Sequence, residues 1–341
     1  MEHVKKILLI QTAFLGDIIL TIPLIKNLKK IFPDKELTVL TTPVGEKVLK
    51  NTDLDCKIIV YDKKGSQKGF LNLIKLTSEL REQKFDLAIM PHRSLRTALT
   101  AYLARIPHRW GFSNSEGKFL LTKKIQYVKG IHEIDRNLSF LDEFNLSYDK
   151  TINFKVDNET EEQVEKILKQ NNFLGEKIIG IHPGSVWFTK KWPVKKFIDL
   201  IKHLSYNNYK IIIFGDKSDE KIGFEIEKSD FLHSNVLNLI GNTTIKQLIG
   251  FIKKISLYIT NDSGPMHIAA AEDIPLIAFF GPTVKDIGFF PYSKRAIVLE
   301  KDIECRPCGI HGGNKCPKKH FKCMNDISVD EVIEKIKDIL G

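Results

Sequence analysis

The chain has 341 residues, 43% hydrophobic and 28% charged, with Gly 21 and Pro 13, which is the composition of an ordinary folded protein and excludes disorder, collagen and coiled coil. At about 150 residues per domain the length favours two domains. Lys+Arg 52 against Asp+Glu 42 leaves a net charge of +10, which favours an anionic partner: nucleic acid, a phosphorylated small molecule or an acidic membrane face.

Lys6 to Ile10 is a short apolar run that suits a strand buried on both faces. After the loop Gln11 to Gly16, the segment Asp17 to Ile31 places Ile18, Ile19, Ile22, Ile25 and Leu28 at helical spacing, and Phe32-Pro33 stops it. The stretch Ile7 to Ile25 resembles a signal peptide or anchor in being mostly apolar behind Lys5 and Lys6. Asp17 lies near its middle, however, and a mid-membrane aspartate costs roughly 2.5–3.5 kcal/mol. Strand, loop and helix of a soluble protein is the better reading. The rhythm then recurs, with strands at Glu36–Leu40, Lys57–Tyr61 and Asp86–Met90 and helices at Phe70–Gln83 and Ser94–Ala104. Such βαβ alternation predicts an α/β fold with right-handed crossovers and helices on both faces of a sheet.

An amphipathic helix over Asp157–Gln170 marks a domain boundary, giving domains 1–157 and 158–327. A fresh alternation follows, with strands at Lys177–Ile181, Lys210–Phe214, Leu257–Thr260 and Leu276–Phe280 and helices at Val194–Leu204 and Ile245–Ile252. Ser328 to Leu340 reads as a last amphipathic helix, with Ser328 as N-cap and Glu331 as the capping-box acid. Ligands of open α/β sheets sit beyond the carboxyl ends of the strands, so two facing sheets imply a cleft lined by strand-end loops.

Four such loops carry chemistry. Thr12-Ala-Phe-Leu-Gly-Asp17 lacks both G-x-G-x-x-G and the G-x-x-x-x-G-K-[ST] phosphate loop. Asp17 fits a helix-start carboxylate that caps free N–H groups, and it equally fits a general base for an acceptor hydroxyl. His182-Pro-Gly-Ser-Val-Trp-Phe-Thr-Lys-Lys-Trp-Pro193 offers Ser185, Thr189, Lys190, Lys191 and backbone N–H groups to a phosphate, the alternative being a solvated basic turn with Trp192 in the core. Thr260-Asn-Asp-Ser-Gly-Pro-Met-His267 places Asp262 and Ser263 where a sugar or phosphate would bind, and Gly264 permits close backbone approach. His267 reads as a packing or hydrogen-bonding histidine. Phe280-Gly-Pro-Thr283 closes the same edge, whereas Asp53-Leu-Asp55 precedes a strand and reads as a surface loop despite its D-x-D pattern.

Five cysteines are too few for a disulfide scaffold and point to a reducing compartment; four of them crowd near the C-terminus. Cys305, Cys308, Cys316 and Cys323, with His311 and His320 nearby, have a spacing able to fold round a tetrahedral zinc, to form a redox-sensitive clip, or to pack as buried free thiols.

The order of these motifs resembles the lipopolysaccharide ADP-heptose heptosyltransferases, glycosyltransferase family 9, and most nearly their heptosyltransferase II branch. The likeness rests on K-x-L-L-x-Q-x-x-x-L-G-D, H-P-G-S…T-K-K-W-P, N-D-S-G-P-M-H, F-F-G-P-T and the late C-x-x-C…C-P…H-x-x-C-M-x-D-I run, and it spans nearly the whole chain. It implies a GT-B fold of two Rossmann-like domains facing each other across a cleft, the first binding the acceptor and the second the nucleotide sugar. The C-terminal helix, 328–341, is expected to pack back on the N-terminal domain. The implied activity is inverting transfer of L-glycero-D-manno-heptose from ADP-heptose to the inner core of lipopolysaccharide, with no cofactor required.

The resemblance further implies Asp17 as catalytic base and Lys190 as the holder of the donor diphosphate, with Ser185 and Thr189 in the same loop and Asp262, Ser263 and Gly264 at the donor heptose. The ribose acid falls on Asp219 or Glu220, and the backbone of Ile240 to Asn242 faces the adenine. Arg93, Ser94 and Arg96 fall in the acceptor region and suit an anionic lipid A core. The place implied is cytoplasmic and peripheral at the inner face of the inner membrane, which the positive charge would favour. Two other readings are a GT-B transferase for another nucleotide sugar and an inactive paralogue. A nucleic-acid-binding protein lacks support, because no basic helix or aromatic RNA-binding motif is recognisable.

Overall fold

The computed structural model describes residues 3–231 and 233–341. They form two compact units, the first ending at Asn153 and the second running from Phe154 to Gly341. The strands of the first are β1 (Lys6–Gln11), β2 (Glu36–Thr41), β3 (Lys57–Val60), β4 (Leu87–Met90), β5 (His108–Phe112) and β6 (Lys123–Ile125). Its helices are α1 (Leu15–Ile31), α2 (Pro43–Leu49), α3 (Phe70–Glu82), α4 (Leu95–Leu103) and α5 (Glu133–Leu138). The sheet order is β3-β2-β1-β4-β5-β6, with every pair parallel. Strand β1 is central because its apolar run can be covered on both faces: Ile7, Leu8, Leu9 and Ile10 are fully buried, and Leu9 pairs with Val39 on one side and Ile89 on the other.

The second unit begins with α6 (Asn158–Gln170) and has strands β7 (Ile178–His182), β8 (Lys210–Ile213), β9 (Val236–Asn238), β10 (Leu257–Asn261), β11 (Leu276–Phe280) and β12 (Ala296–Glu300). Its other helices are α7 (Val194–Tyr206), α8 (Glu220–Glu227), α9 (Ile245–Ile252), α10 (Gly264–Ala271), α11 (Lys322–Asn325) and α12 (Val329–Leu340). The order β12-β11-β10-β7-β8-β9, again all parallel, repeats the connectivity of the first sheet. In each sheet the first strand lies between the second and the fourth. The chain therefore reverses its winding between β1 and β4, and again between β7 and β10, which opens a crevice at the carboxyl ends of those two strands. The expected α/β class, doubled and Rossmann-like, is what the chain adopts.

The core of the second unit forms round Trp192, which stacks on Phe279 at 4.6 Å and meets Phe197 edge-on at 4.9 Å. Its indole N–H donates to the Ile327 carbonyl at 3.1 Å, so the one polar group of the ring is met inside the core. Helix α12 differs from the expectation that it returns to the N-terminal domain. Val332 and Ile336 enter the second unit's own core and the helix packs on α7, its apolar stripe joining the cluster that holds Trp192 and Phe197. Strands β5, β6, β9 and β12 were not foreseen. His108-Arg-Trp-Gly-Phe112 has no continuous apolar run, and its pairing with β4 on one side and β6 on the other makes it a strand. Among the described residues no helix is long and apolar enough to cross a membrane.

Candidate active site

In the first unit the loop after β1 and the loop after β4 lie side by side at the switch point. Helix α1 starts at Leu15, two residues before the expected start, so Asp17 sits at its third position and its Oδ2 accepts the Phe14 N–H at 3.2 Å. Asp17 thus caps the helix with one oxygen and remains half-buried at the crevice. Lys63, from the turn after β3, donates to Thr12 Oγ1 at 3.4 Å. Burial pulls the Lys63 ammonium below its usual range, aided by Arg96 and Lys64, while the Asp17 carboxylate opposes the shift.

Arg93 and Ser94 follow β4. The Arg93 guanidinium lies 4.5 Å from the Tyr127 ring centre, and Arg136 lies 4.6 Å from the same ring. Ser94 Oγ accepts the Arg96 N–H at 3.2 Å and so caps α4, which commits that hydroxyl to the helix and leaves the two arginines as the charged groups. Glu133, in the first turn of α5, bonds Arg136. Burial lifts its carboxyl to about 7, with Arg136 and Arg93 countering and Asp17 pushing further up. The Asn137 amide donates to the Leu20 carbonyl at 3.1 Å, which locks α5 along α1 with Glu133 toward Asp17. Lys63 and Glu133 were missed in the sequence because neither stands in a motif; each reaches Asp17 only through the fold.

In the second unit the loops after β7, β10 and β11 converge. Lys190 Nζ pairs with Asp262 Oδ2 at 2.6 Å, and Thr283 Oγ1 donates to the same oxygen at 2.7 Å. Ser185 Oγ donates to the Asp262 carbonyl at 3.4 Å, and Ser263 Oγ lies 3.2 Å from Thr260 Oγ1. Ser263 is the N-cap of α10, and Gly264 and Pro265 open that helix, so its free N–H groups face the same edge. The fully buried Asn261 organises these loops: its Oδ1 accepts the Trp192 N–H at 2.8 Å, and its Nδ2 donates to the Pro183 carbonyl at 2.8 Å. It had passed unremarked between Thr260 and Asp262, since an asparagine that braces two loops leaves no mark of spacing.

Asp219 and Glu220 separate clearly. Asp219 is buried under the loop after β7, paired with Lys191 at 3.4 Å, and a Cβ on Gly184 would come within 2.1 Å of its carboxylate. Glu220 is exposed at the start of α8, beside Gly241, where an added Cβ would stand 3.2 Å from Glu220 Oε1. His182 is buried at the end of β7, and burial holds its imidazole below the usual range against Asp219 and Asp216.

The cysteine-rich segment braces the loop after β7. Thr189 exchanges two bonds with Gly313, its N–H to the carbonyl at 2.9 Å and its hydroxyl accepting the N–H at 2.8 Å, so that hydroxyl is held by the fold. The Arg306 guanidinium grips the carbonyls of Gly281 and Thr283 and the carboxylate of Glu300. Among the described residues no group of three or more His, Cys, Asp or Glu side chains is gathered as metal ligands, so of the three readings left open for Cys305, Cys308, Cys316 and Cys323 the zinc site finds no ligand set. Cys323 packs in the core with Met324 against Gly281, where burial raises its thiol to about 11, and Cys308 turns its sulfur to the Cys305 carbonyl at 3.2 Å. Asp53 and Asp55 are exposed ahead of β3.

The profile of glycosyltransferase family 9 (heptosyltransferase) matches residues 73–318. Lipooligosaccharide heptosyltransferase 2 of Campylobacter jejuni is 30% identical, with 98% of each chain covered, and lipopolysaccharide heptosyltransferase 2 of Escherichia coli K12 is 26% identical over 98% of each chain. Among solved structures, the family 9 glycosyl transferase of Veillonella parvula superposes with a TM-score of 0.85 at 25% identity, over 98% of this chain and 97% of that one. Escherichia coli ADP-heptose lipopolysaccharide heptosyltransferase II does so with a TM-score of 0.78 at 24% identity, over 98% of each. On its sequence and its doubled parallel sheets the chain belongs to glycosyltransferase family 9, the heptosyltransferases.

Proposed function

We propose that this glycosyltransferase moves L-glycero-D-manno-heptose from ADP-heptose to the inner core of lipopolysaccharide, with inversion at the anomeric carbon. The observation that carries the reading is the buried Lys190–Asp262 pair at the N-terminal end of α10, in a chain that aligns end to end with heptosyltransferases 2. The second unit takes the donor and the first the acceptor. Lys190, the free N–H groups at Ser263 and Gly264, and the hydroxyls of Ser185 and Thr189 receive the diphosphate, while Asp262 meets the heptose hydroxyls. Glu220 serves the ribose, because it is exposed beside Gly241 and the Ile240–Asn242 backbone, whereas Asp219 is sealed beneath Gly184.

Asp17 takes the proton of an acceptor hydroxyl as that oxygen forms its bond to the anomeric carbon. The bond from that carbon to the β-phosphate oxygen breaks with its electron pair, and ADP departs into the positive field of Lys190 and α10. Arg93 and Arg96 hold the anionic core sugars, and Ser94 orients them by capping α4. The protein works at a membrane face, where a lipid-anchored acceptor resides. A transfer assay with ADP-heptose against a panel of truncated core acceptors tests this reading. Product linkage defines the position and the stereochemistry, and turnover of a different nucleotide sugar with none of ADP-heptose would overturn it.

A further inference from the structure

Helix α3 buries one face and leaves the other in a state that a soluble surface does not explain. Leu73, Leu76 and Leu80 enter the first unit's core, as their spacing demands. On the opposite side of the first turns stand Phe70, Leu71 and Ile74, exposed at 65%, 81% and 45%. Residues three and four apart share a helix face, so Phe70, Leu71 and Ile74 form one apolar cap. Scattered exposed apolar side chains are ordinary, but three bulky ones at one helix start make a patch of the sort that marks an interaction site.

The surroundings state the partner's charge. Residues 61–75 contain Lys63, Lys64, Lys68 and Lys75 against the single acid Asp62. Asp62 is hydrogen-bonded within its own loop, where it accepts the N–H groups of Gly65 and Ser66 at 3.0 and 2.9 Å. Lys64, Lys68 and Lys75 are exposed; Lys68 precedes Phe70 by two residues and Lys75 stands one turn beyond Leu71 on the helix. An apolar tip ringed by ammonium groups fits the boundary of an anionic bilayer, where acyl chains receive the rings and headgroup phosphates receive the lysines. A second copy of the same patch would bring like charges together.

The patch is continuous with the loop that carries Asp17. Lys63 reaches Thr12, and Lys64 Nζ lies 4.9 Å above the ring of Phe14, itself 38% exposed. We propose that Phe70, Leu71 and Ile74, with Lys64, Lys68 and Lys75, are the surface by which the protein docks on an anionic lipid bilayer, setting the Asp17 loop beside lipid-anchored acceptor. The purpose rests on the function proposed above, but the surface is tested without it.

The experiment is co-sedimentation of the full chain with vesicles of phosphatidylethanolamine and phosphatidylglycerol, and with vesicles of phosphatidylcholine alone. The chain is expected on the anionic vesicles. Replacing Phe70, Leu71 and Ile74 together by serine should cut that partition by at least about tenfold. Lys64→Gln with Lys68→Gln should cut it roughly fivefold per lysine at low salt. Phe70, Leu71 and Ile74 lie outside the core and outside the Asp17 loop, so for the triple-serine variant circular dichroism should be unchanged and turnover of a lipid-free acceptor should match the parent. Equal partition of parent and triple-serine variant would overturn the proposal, as would a patch whose loss only converts a dimer to a monomer. Patch-dependent vesicle binding without heptose transfer to any acceptor would support the surface and overturn the function.

Discussion

Lys190 Nζ stands 2.6 Å from Asp262 Oδ2, and the two side chains are only 12% and 6% exposed. Thr283 supplies a second donor to the same oxygen, so the carboxylate is met from two sides while the lysine relies on it for its counter-charge. A diphosphate arriving at α10 would share that ammonium with Asp262. Pair and ligand are therefore coupled, and their effects on folding and on binding can be separated.

Lys190→Ala should weaken ADP binding by about 10–100-fold, the worth of a hydrogen bond to a charged group. It should also lower stability by roughly 3–5 kcal/mol, since Asp262 is left buried without its partner. Lys190→Met combined with Asp262→Asn should recover most of the stability and none of the affinity. Calorimetric titration with ADP and thermal unfolding of the three proteins decide it; unchanged ADP affinity in Lys190→Ala would remove Lys190 from the donor site.

Asp17→Asn keeps an oxygen able to accept the Phe14 N–H, so the start of α1 should persist. A lost general base should lower kcat by about 10²–10⁴-fold while ADP binding stays as in the parent. Turnover within a few-fold of the parent would show that Asp17 is a helix cap and no more.

Glu133 should leave its mark on the pH dependence of stability. Its carboxyl is lifted from 4.5 to about 7, chiefly by burial, so the folded state holds the proton more tightly than the unfolded chain does. Its contribution is fully present below about 4.5 and is lost as pH rises through about 7, a span on the order of 3 kcal/mol. Glu133→Gln should flatten that slope, read as the difference between parent and variant in urea unfolding at about pH 5 and about pH 8. Parallel curves for the two proteins would contradict the assignment.

Asn261→Ala should strip the Trp192 N–H and the Pro183 carbonyl of their partners, at roughly 1–3 kcal/mol for each orphaned group. Because it braces the loops after β7 and β10, the variant should also bind ADP less tightly, with a faster off-rate in stopped-flow displacement. Loss of stability with unchanged ADP kinetics would confine Asn261 to a packing role.

The sequence by itself determined the alternation of strands and helices and the strand-end loops on which Asp17, Lys190 and Asp262 stand. Those features are written in short-range periodicity and in local turn chemistry: Ile7 to Ile10 must be covered on both faces, and Pro193 pre-sets the start of the helix that follows it. The tertiary structure alone decided what depends on partners distant in the chain. Asp219 and Glu220 are adjacent and chemically alike, and only the approach of Gly184 to one and of Gly241 to the other separates them. Asn261, Lys63 and Glu133 gain their places from loops and helices dozens of residues away, and α12 packs on α7 where its apolar stripe joins the core around Trp192 and Phe197. The physical reason is that an apolar stripe states that a face will be buried but not against what, and a lone polar side chain states neither.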